Sequence, residues 1–282
     1  MSSEAYSEGV TVARDYYDSA EADAFYGSIW GGEDIHVGLY DGTDDIRAAS
    51  RRTVERMAQK AAPLAGKRVI DLGSGYGGAA RVLAGEHGAH VTCLNLSRVE
   101  NERNRRLTAE AGLSGKIEVI DGSFDAMPFA EGSFDLAWSQ DAILHAPDRL
   151  AVLDEVARVL RPEGTFVFTD PMQADGLADT AALQPIYDRI HLDSLGSPGF
   201  YRKTLGDLGM TEMHFDEHPE QLARHYSRVR EVLVENADDL REKGVSADYI
   251  ERMKSGLTHW IDGGLKGFLT WGIFVFEKGR GG

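Results

Sequence analysis

Cysteine is nearly absent, since Cys93 is the single one in 282 residues. One thiol can neither close a disulfide within the chain nor build a cysteine-based zinc site. A reducing cytoplasm is the expected compartment. No apolar run reaches membrane-spanning length, and the opening Met1-Ser2-Ser3-Glu4 lacks the basic and apolar regions of a signal peptide. Basic residues are in deficit, with 30 Lys and Arg against 46 Asp and Glu and a formal net charge of -16. Such a surface repels phosphate backbones and anionic headgroups, so neither nucleic acid nor a membrane is an expected partner. The acidity is spread along the chain and fits two readings. One is an ordinary acidic enzyme; the other is adaptation to high salt, where ions screen the self-repulsion. Repeats and low-complexity tracts are lacking too.

What is present is a globular composition, 42% hydrophobic and 27% charged, with no bias towards disorder. Apolar runs bounded by Gly, Asp and Pro alternate with amphipathic stretches, the signature of βαβ units and a mainly parallel sheet. Strands are expected at Arg68 to Leu72, His90 to Leu96, Ile117 to Asp121, Phe134 to Ser139 and Thr165 to Asp170. Two more are expected late, at Met210 to Phe215 and Leu269 to Lys278. Asp148 to Leu160 is the clearest helix, with Leu150, Leu153, Val156, Val159 and Leu160 on one face and Arg161-Pro162-Glu163-Gly164 as its stop. The expected fold is α/β: a Rossmann-like seven-stranded sheet, mostly parallel with an antiparallel last strand. One domain spans 1–282. It comprises an N-terminal helical cap (1–62), a ligand-binding core (63–173), an inserted helical lid after the fifth strand (174–209), and C-terminal strands and helices (210–282).

The sharpest local signal is Val69-Ile70-Asp71-Leu72-Gly73-Ser74-Gly75-Tyr76-Gly77-Gly78, between a strand and a helix. Glycines at Gly73 and Gly75 let the backbone turn tightly and approach a ligand where a Cβ would clash. The spacing is G-x-G-x-G, not the G-x-G-x-x-G of a pyrophosphate site. Asp71 would repel pyrophosphate but could receive the amino group of a methionine moiety. S-adenosylmethionine is therefore the expected ligand, with a bare glycine turn or a nicotinamide site as alternatives. The second strand ends in Asn95-Leu96-Ser97, where an acidic residue normally accepts from ribose hydroxyls; an amide oxygen can still accept one, unless Asn95 is simply a loop residue. Ser123 and Phe124 follow the third strand and are placed at the adenine.

From these residues outward the sequence resembles the sarcosine/dimethylglycine N-methyltransferases that make glycine betaine. The specific segments are Phe25-Tyr26, Ile29-Trp30-Gly31-Gly32-Glu33-Asp34-Ile35-His36, and Trp138-Ser139-Gln140-Asp141-Ala142 with His145. Further on come Thr169-Asp170-Pro171-Met172, Gln184-Pro185-Ile186 with Asp188-Arg189-Ile190, Gly199 with Tyr201-Arg202, and His225-Tyr226-Ser227. The last are Gly256-Leu257, His259-Trp260-Ile261, Gly263-Gly264 and Leu269-Thr270-Trp271-Gly272. The resemblance implies methyl transfer from S-adenosylmethionine to the nitrogen of sarcosine and dimethylglycine, with S-adenosylhomocysteine as co-product and a monomer or homodimer as the unit. A different acceptor (glycine, phosphoethanolamine or an O-methyl acceptor) is the alternative.

The chemistry sorts the candidates. A carboxylate acceptor calls for an Arg fork: Arg189, with Arg202 in reserve, although either could be a surface ion-pair residue. A growing cation calls for aromatic faces. Trp30, Tyr201, Tyr26 and Trp271 are available, Trp271 equally as core. His145 could orient the acceptor or take its proton, or be structural. Asp170 could hydrogen-bond the amine or stabilise its charge. The resemblance adds Pro171 and Met172 to the acceptor side, and Tyr26 and Gln140 to the cofactor side. No metal is called for, because a sulfonium is already electrophilic and alignment is the main catalytic demand.

Overall fold

The computed structural model describes residues 8–30, 32–190 and 193–280. Met1 to Glu4 and Gly31, used in the sequence reading, lie outside them. Three helices come first: α1 (Glu8–Tyr17), α2 (Ala20–Ile29) and α3 (Ile46–Ala61). The core then alternates β1 (Arg68–Leu72), α4 (Gly78–Gly85), β2 (His90–Asn95), α5 (Arg98–Glu110), β3 (Ile117–Asp121), β4 (Phe134–Gln140), α6 (Arg149–Val159) and β5 (Leu160–Thr169). After a two-residue strand β6 (Met172–Gln173) come α7 (Gln184–Ile190), α8 (Pro198–Asp207) and β7 (Met210–Glu217). The chain closes with α9 (Pro219–Glu235), α10 (Ala237–Glu242), α11 (Ala247–Leu265), β8 (Leu269–Thr270) and β9 (Gly272–Lys278).

Seven strands form one sheet in the order β3-β2-β1-β4-β5-β9-β7. The first five pair in parallel, and β9 runs antiparallel between β5 and β7. Strands covered on both faces need continuous apolar runs, and Val69, Ile70, Leu72, Leu136, Ala137, Trp138, Phe166, Val167 and Phe168 are accordingly buried. The strand order reverses between β1 and β4. In a doubly wound sheet that switch point opens a crevice at the carboxyl ends of the strands, where ligands bind.

Three local expectations need correction. Leu150 is 57% exposed, because the buried stripe of α6 begins a residue pair later, at Val152 and Leu153. Arg161 to Gly164 is not a coil stop. It belongs to β5, whose register jumps from Phe134↔Leu160 to Leu136↔Thr165, with Glu163 in the left-handed region at φ 60°. The last strand is two strands. β8 leaves the sheet to pair with β6, and Trp271 lies between β8 and β9. Among the described residues no helix is long and apolar enough to cross a membrane.

Candidate functional site

At the switch point β1 gives way to a glycine loop in which Gly73, Gly75 and Gly77 all have positive φ, at 69°, 50° and 74°. Only glycine adopts this freely. A Cβ on Gly73 would fall 2.4 Å from that of Ala142, so the bare backbone lets the segment after β4 lie against the loop. A Cβ on Gly75 would meet no protein atom closer than Ile35 Cδ1 at 3.7 Å. That side of Gly75 faces a cavity of about 90 Å³, walled also by Asn95, Ser97, Glu100, Ser123, Phe124 and Gln140.

The polar atoms of this wall are partly unsatisfied. Ser123 Oγ and Gln140 Nε2 are buried without a partner, a costly condition unless a ligand or water supplies one. Trp138 Nε1 donates to Gln140 Oε1 at 2.9 Å, which fixes the amide. Asn95 Nδ2 donates to Glu100 Oε2 at 2.8 Å. The strand-end amide therefore holds a carboxylate delivered from the first turn of α5, and burial pushes that carboxyl up to about 7. Ser97 caps α5 by accepting from Glu100 N at 3.1 Å and donates to Asp18 Oδ1 at 2.7 Å.

A larger cavity of about 760 Å³ adjoins it, walled by side chains of α1, α2, α7, α9 and α11. Rings of Tyr16, Tyr26, Trp30, Tyr226, Tyr249 and Trp260 face it. Arg189 lies on the same wall. Its Nη1 donates to the Arg252 carbonyl at 3.2 Å and its Nη2 approaches Met253 Sδ at 2.7 Å. No carboxylate among the described residues pairs with this half-buried guanidinium.

Four residues wall both cavities: Tyr17, Ile35, Asp141 and His145. Asp141 stands in the left-handed region at φ 50°. Its Oδ1 accepts from Trp271 Nε1 at 2.8 Å and Thr169 Oγ1 at 2.7 Å, and its Oδ2 accepts from Val37 N at 2.6 Å. These contacts fix the N-terminal segment onto the end of β4. His145 Nε2 shares a 2.9 Å hydrogen bond with the Tyr17 hydroxyl. Burial, aided by the charges of Arg149 and Arg189, pulls the imidazole down to about 4, so the ring is neutral near pH 7. Burial also raises Tyr17, keeping its phenol protonated.

Of the acceptor-side candidates, Trp30, Pro171, Arg189 and His145 wall the larger cavity. Tyr26, assigned to the cofactor side, does so as well, from α2. Gly73, Gly75, Asn95, Leu96, Ser97, Ser123, Phe124 and Gln140 wall the smaller one. Six candidates reach neither: Tyr201, Asp170, Met172, Arg202, Trp271 and Asp71. Tyr201 and Asp170 are fully buried and satisfy each other, Tyr201 Oη donating to Asp170 Oδ2 at 2.6 Å. Asp170 Oδ1 accepts from Leu144 N at 2.9 Å. The Tyr201 ring packs on Phe168 and Phe274, and Met172 is buried in the same cluster. Asp170 and Met172 flank the turn after β5, where a side chain can take either face, and Tyr201 stands on α8; all three point into the core. Arg202 pairs with Glu212 at 2.7 Å over the Phe215 ring, away from both cavities. Trp271 is core, with its indole N–H spent on Asp141.

Asp71 is 3% exposed and walls neither cavity. Burial first, then the charge of Asp34, lifts its carboxyl to about 7. His36 faces the larger cavity, with its buried Nε2 3.8 Å from Asp34 Oδ1. Sequence reasoning missed Tyr17, His36, Glu100 and Asp141 as site residues. Asp141 carried a usable signal, a non-glycine residue immediately after a buried strand at the switch point. Tyr17 carried none, because its partner His145 lies 128 positions away along the chain.

Comparison with known proteins fits this geometry. A sequence family described as a methyltransferase domain matches residues 70–168. The sarcosine/dimethylglycine N-methyltransferase of Halorhodospira halochloris is 54% identical over 274 residues, spanning 96% of this chain and 98% of that one. The dimethylglycine N-methyltransferase of Parasynechococcus marenigrum is 51% identical, spanning 95% and 96%. A crystal structure assigned as a sarcosine dimethylglycine methyltransferase from Galdieria sulphuraria superposes with a TM-score of 0.88 at 43% identity, covering 94% of this chain and 100% of that one.

Proposed function

The chain belongs to the sarcosine/dimethylglycine N-methyltransferase family, and from that premise we propose that it methylates sarcosine and dimethylglycine to glycine betaine in the larger cavity. One observation supports the acceptor most directly: Arg189 offers a guanidinium with no carboxylate partner among the described residues to an aromatic-walled cavity that adjoins the glycine loop. An amino acid with an N-methylated amine complements that wall at both ends. Its carboxylate meets Arg189, and its nitrogen, which gains fixed positive charge, lies among ring faces.

The residues of the smaller cavity fit S-adenosylmethionine. Gly75 leaves room for a close approach, Glu100 and Asn95 present acceptors suited to ribose hydroxyls, and the unpartnered Ser123 Oγ and Gln140 Nε2 can meet a purine or the amino-acid end. When bound there, S-adenosylmethionine supplies an electrophilic methyl group on its sulfonium. Arg14 and Tyr17 of α1 stand on the wall of the same cavity.

What the chain itself does follows from position and desolvation. The acceptor amine, with a pKa of roughly ten in water, must present its lone pair. Aromatic walls that exclude water disfavour the ammonium and lower that pKa. His145 and Tyr17, where the two cavities meet, orient the nitrogen. The N–C bond forms from the nitrogen lone pair, so methylated sarcosine keeps its N–H and leaves as a tertiary ammonium of pKa roughly ten, and the step needs no base. Asp141 holds this junction rigid through its three hydrogen bonds, so alignment is set before the acceptor arrives. Turnover of glycine, sarcosine, dimethylglycine and phosphoethanolamine with labelled methyl donor tests the proposal. Label reaching phosphoethanolamine in preference to the two amino acids would reject it.

A further inference from the structure

Gly256 sits in the middle of α11, where alanine would make a better helix. A Cβ built on it would lie 2.7 Å from Arg189 Nε and 2.8 Å from both Cζ and Nη1, and these are its three nearest neighbours. The other glycines near the end of this helix differ in kind. Gly263 abuts Leu269 and Gly264 abuts Ala223, so they serve packing between elements. At Gly256 the neighbour is the tip of a flexible cation. The guanidinium lies over the helical turn 252–256, donating to the Arg252 carbonyl and touching Met253 Sδ. A side chain at position 256 would cover that same turn, because helical Cα–Cβ bonds lean towards the N-terminus.

We propose that Gly256 is a positioning residue for acceptor recognition: its missing side chain lets the Arg189 guanidinium seat on the bare backbone of α11 and face the larger cavity. The proposal rests on the reading of Arg189 as the carboxylate clamp. A methyl group at this position costs the fold little, since the guanidinium can swing away. It costs recognition much more, since a two-point fork depends on where its plane lies. The acceptor carboxylate carries the same charge before and after methyl transfer, so the loss belongs to binding and appears in KM.

The test is a double-mutant cycle with Gly256→Ala and Arg189→Ala, read by steady-state kinetics with dimethylglycine, calorimetry with S-adenosylmethionine and thermal melting. In Gly256→Ala, KM for dimethylglycine should rise about 10- to 100-fold, the loss of one leg of a charge-assisted pair. The cofactor Kd and kcat should stay within about twofold, and Tm should be unchanged or higher because alanine favours the helix. Adding Gly256→Ala to Arg189→Ala should change KM no further, because the two act through one contact. A wild-type KM in Gly256→Ala, or an effect that persists without Arg189, overturns the proposal while leaving the clamp intact. So does a fall in Tm, which would mean the new methyl meets more than a mobile guanidinium. If Arg189→Ala itself keeps the wild-type KM, the clamp fails and the role of Gly256 fails with it.

Discussion

Replacing Arg189 with alanine removes the half-buried cation on the acceptor wall. Among the described residues its side chain has a backbone carbonyl and a thioether as hydrogen-bond partners and no carboxylate, so its deletion should leave stability nearly unchanged. The cost falls on the acceptor. At about 4 Å and an effective dielectric of about 20, a unit charge pair is worth about 4 kcal/mol. Residual solvent access at Arg189 screens part of this, leaving about 2–3 kcal/mol. That corresponds to a rise in KM for dimethylglycine of about 30- to 150-fold. Arg189→Lys should recover only part, because an ammonium keeps the charge but not the planar fork. Betaine, which keeps the carboxylate, should inhibit the wild type and lose that inhibition in Arg189→Ala, whereas choline should inhibit neither. Kinetics over a range of dimethylglycine, with S-adenosylmethionine affinity measured separately, give the answer. A KM within threefold of wild type, with cofactor binding intact, would refute the clamp. No second arginine from the original candidates could then replace it, since Arg202 is held at Glu212.

Other perturbations address the rest of the site. Gly75→Val puts a branched side chain at φ 50° into the smaller cavity, and calorimetry should show no S-adenosylmethionine binding by a protein whose circular dichroism is unchanged; normal affinity would remove that cavity as the adenosyl site. Tyr17→Phe deletes the hydrogen bond to His145 and should lower kcat about tenfold, the worth of one such contact in a dry site, while an unchanged kcat would reduce the pair to packing. Because His145 lies near 4, it is neutral from pH 6 to 9, and the rise in rate expected over about that range belongs to the acceptor amine. His145→Gln should therefore lower the rate without moving the pH limb; a displaced limb would show that the ring titrates there. Glu100 rises from 4.5 to about 7 on burial, so its contribution to stability is full below 4.5 and is lost as pH climbs towards 7. The Tm advantage of ligand-free Glu100→Gln over wild type should grow across that interval and then level off, and an advantage independent of pH would mean that Glu100 is not buried in solution.

The sequence by itself determined the doubly wound sheet, the glycine loop and the family. Each rests on local pattern: apolar runs bounded by Gly and Asp, and glycines at positions where φ must be positive. Side-chain direction at the ends of strands was another matter. Asp170 read as a site residue from its place after β5 and Tyr201 as an aromatic face for the acceptor, yet they point into the core and satisfy one another, because neither strand alternation nor helix period says which cavity a side chain reaches. Asn95 read as a weakened ribose acceptor, and only packing showed that α5 brings the Glu100 carboxylate to its amide. Tyr17 meets His145 from 128 positions away along the chain, and Gly256 makes room for Arg189 from another helix. Such contacts are decided when the N-terminal helices and α11 close over the sheet, since that packing, and not any local propensity, sets which side chains share a cavity wall.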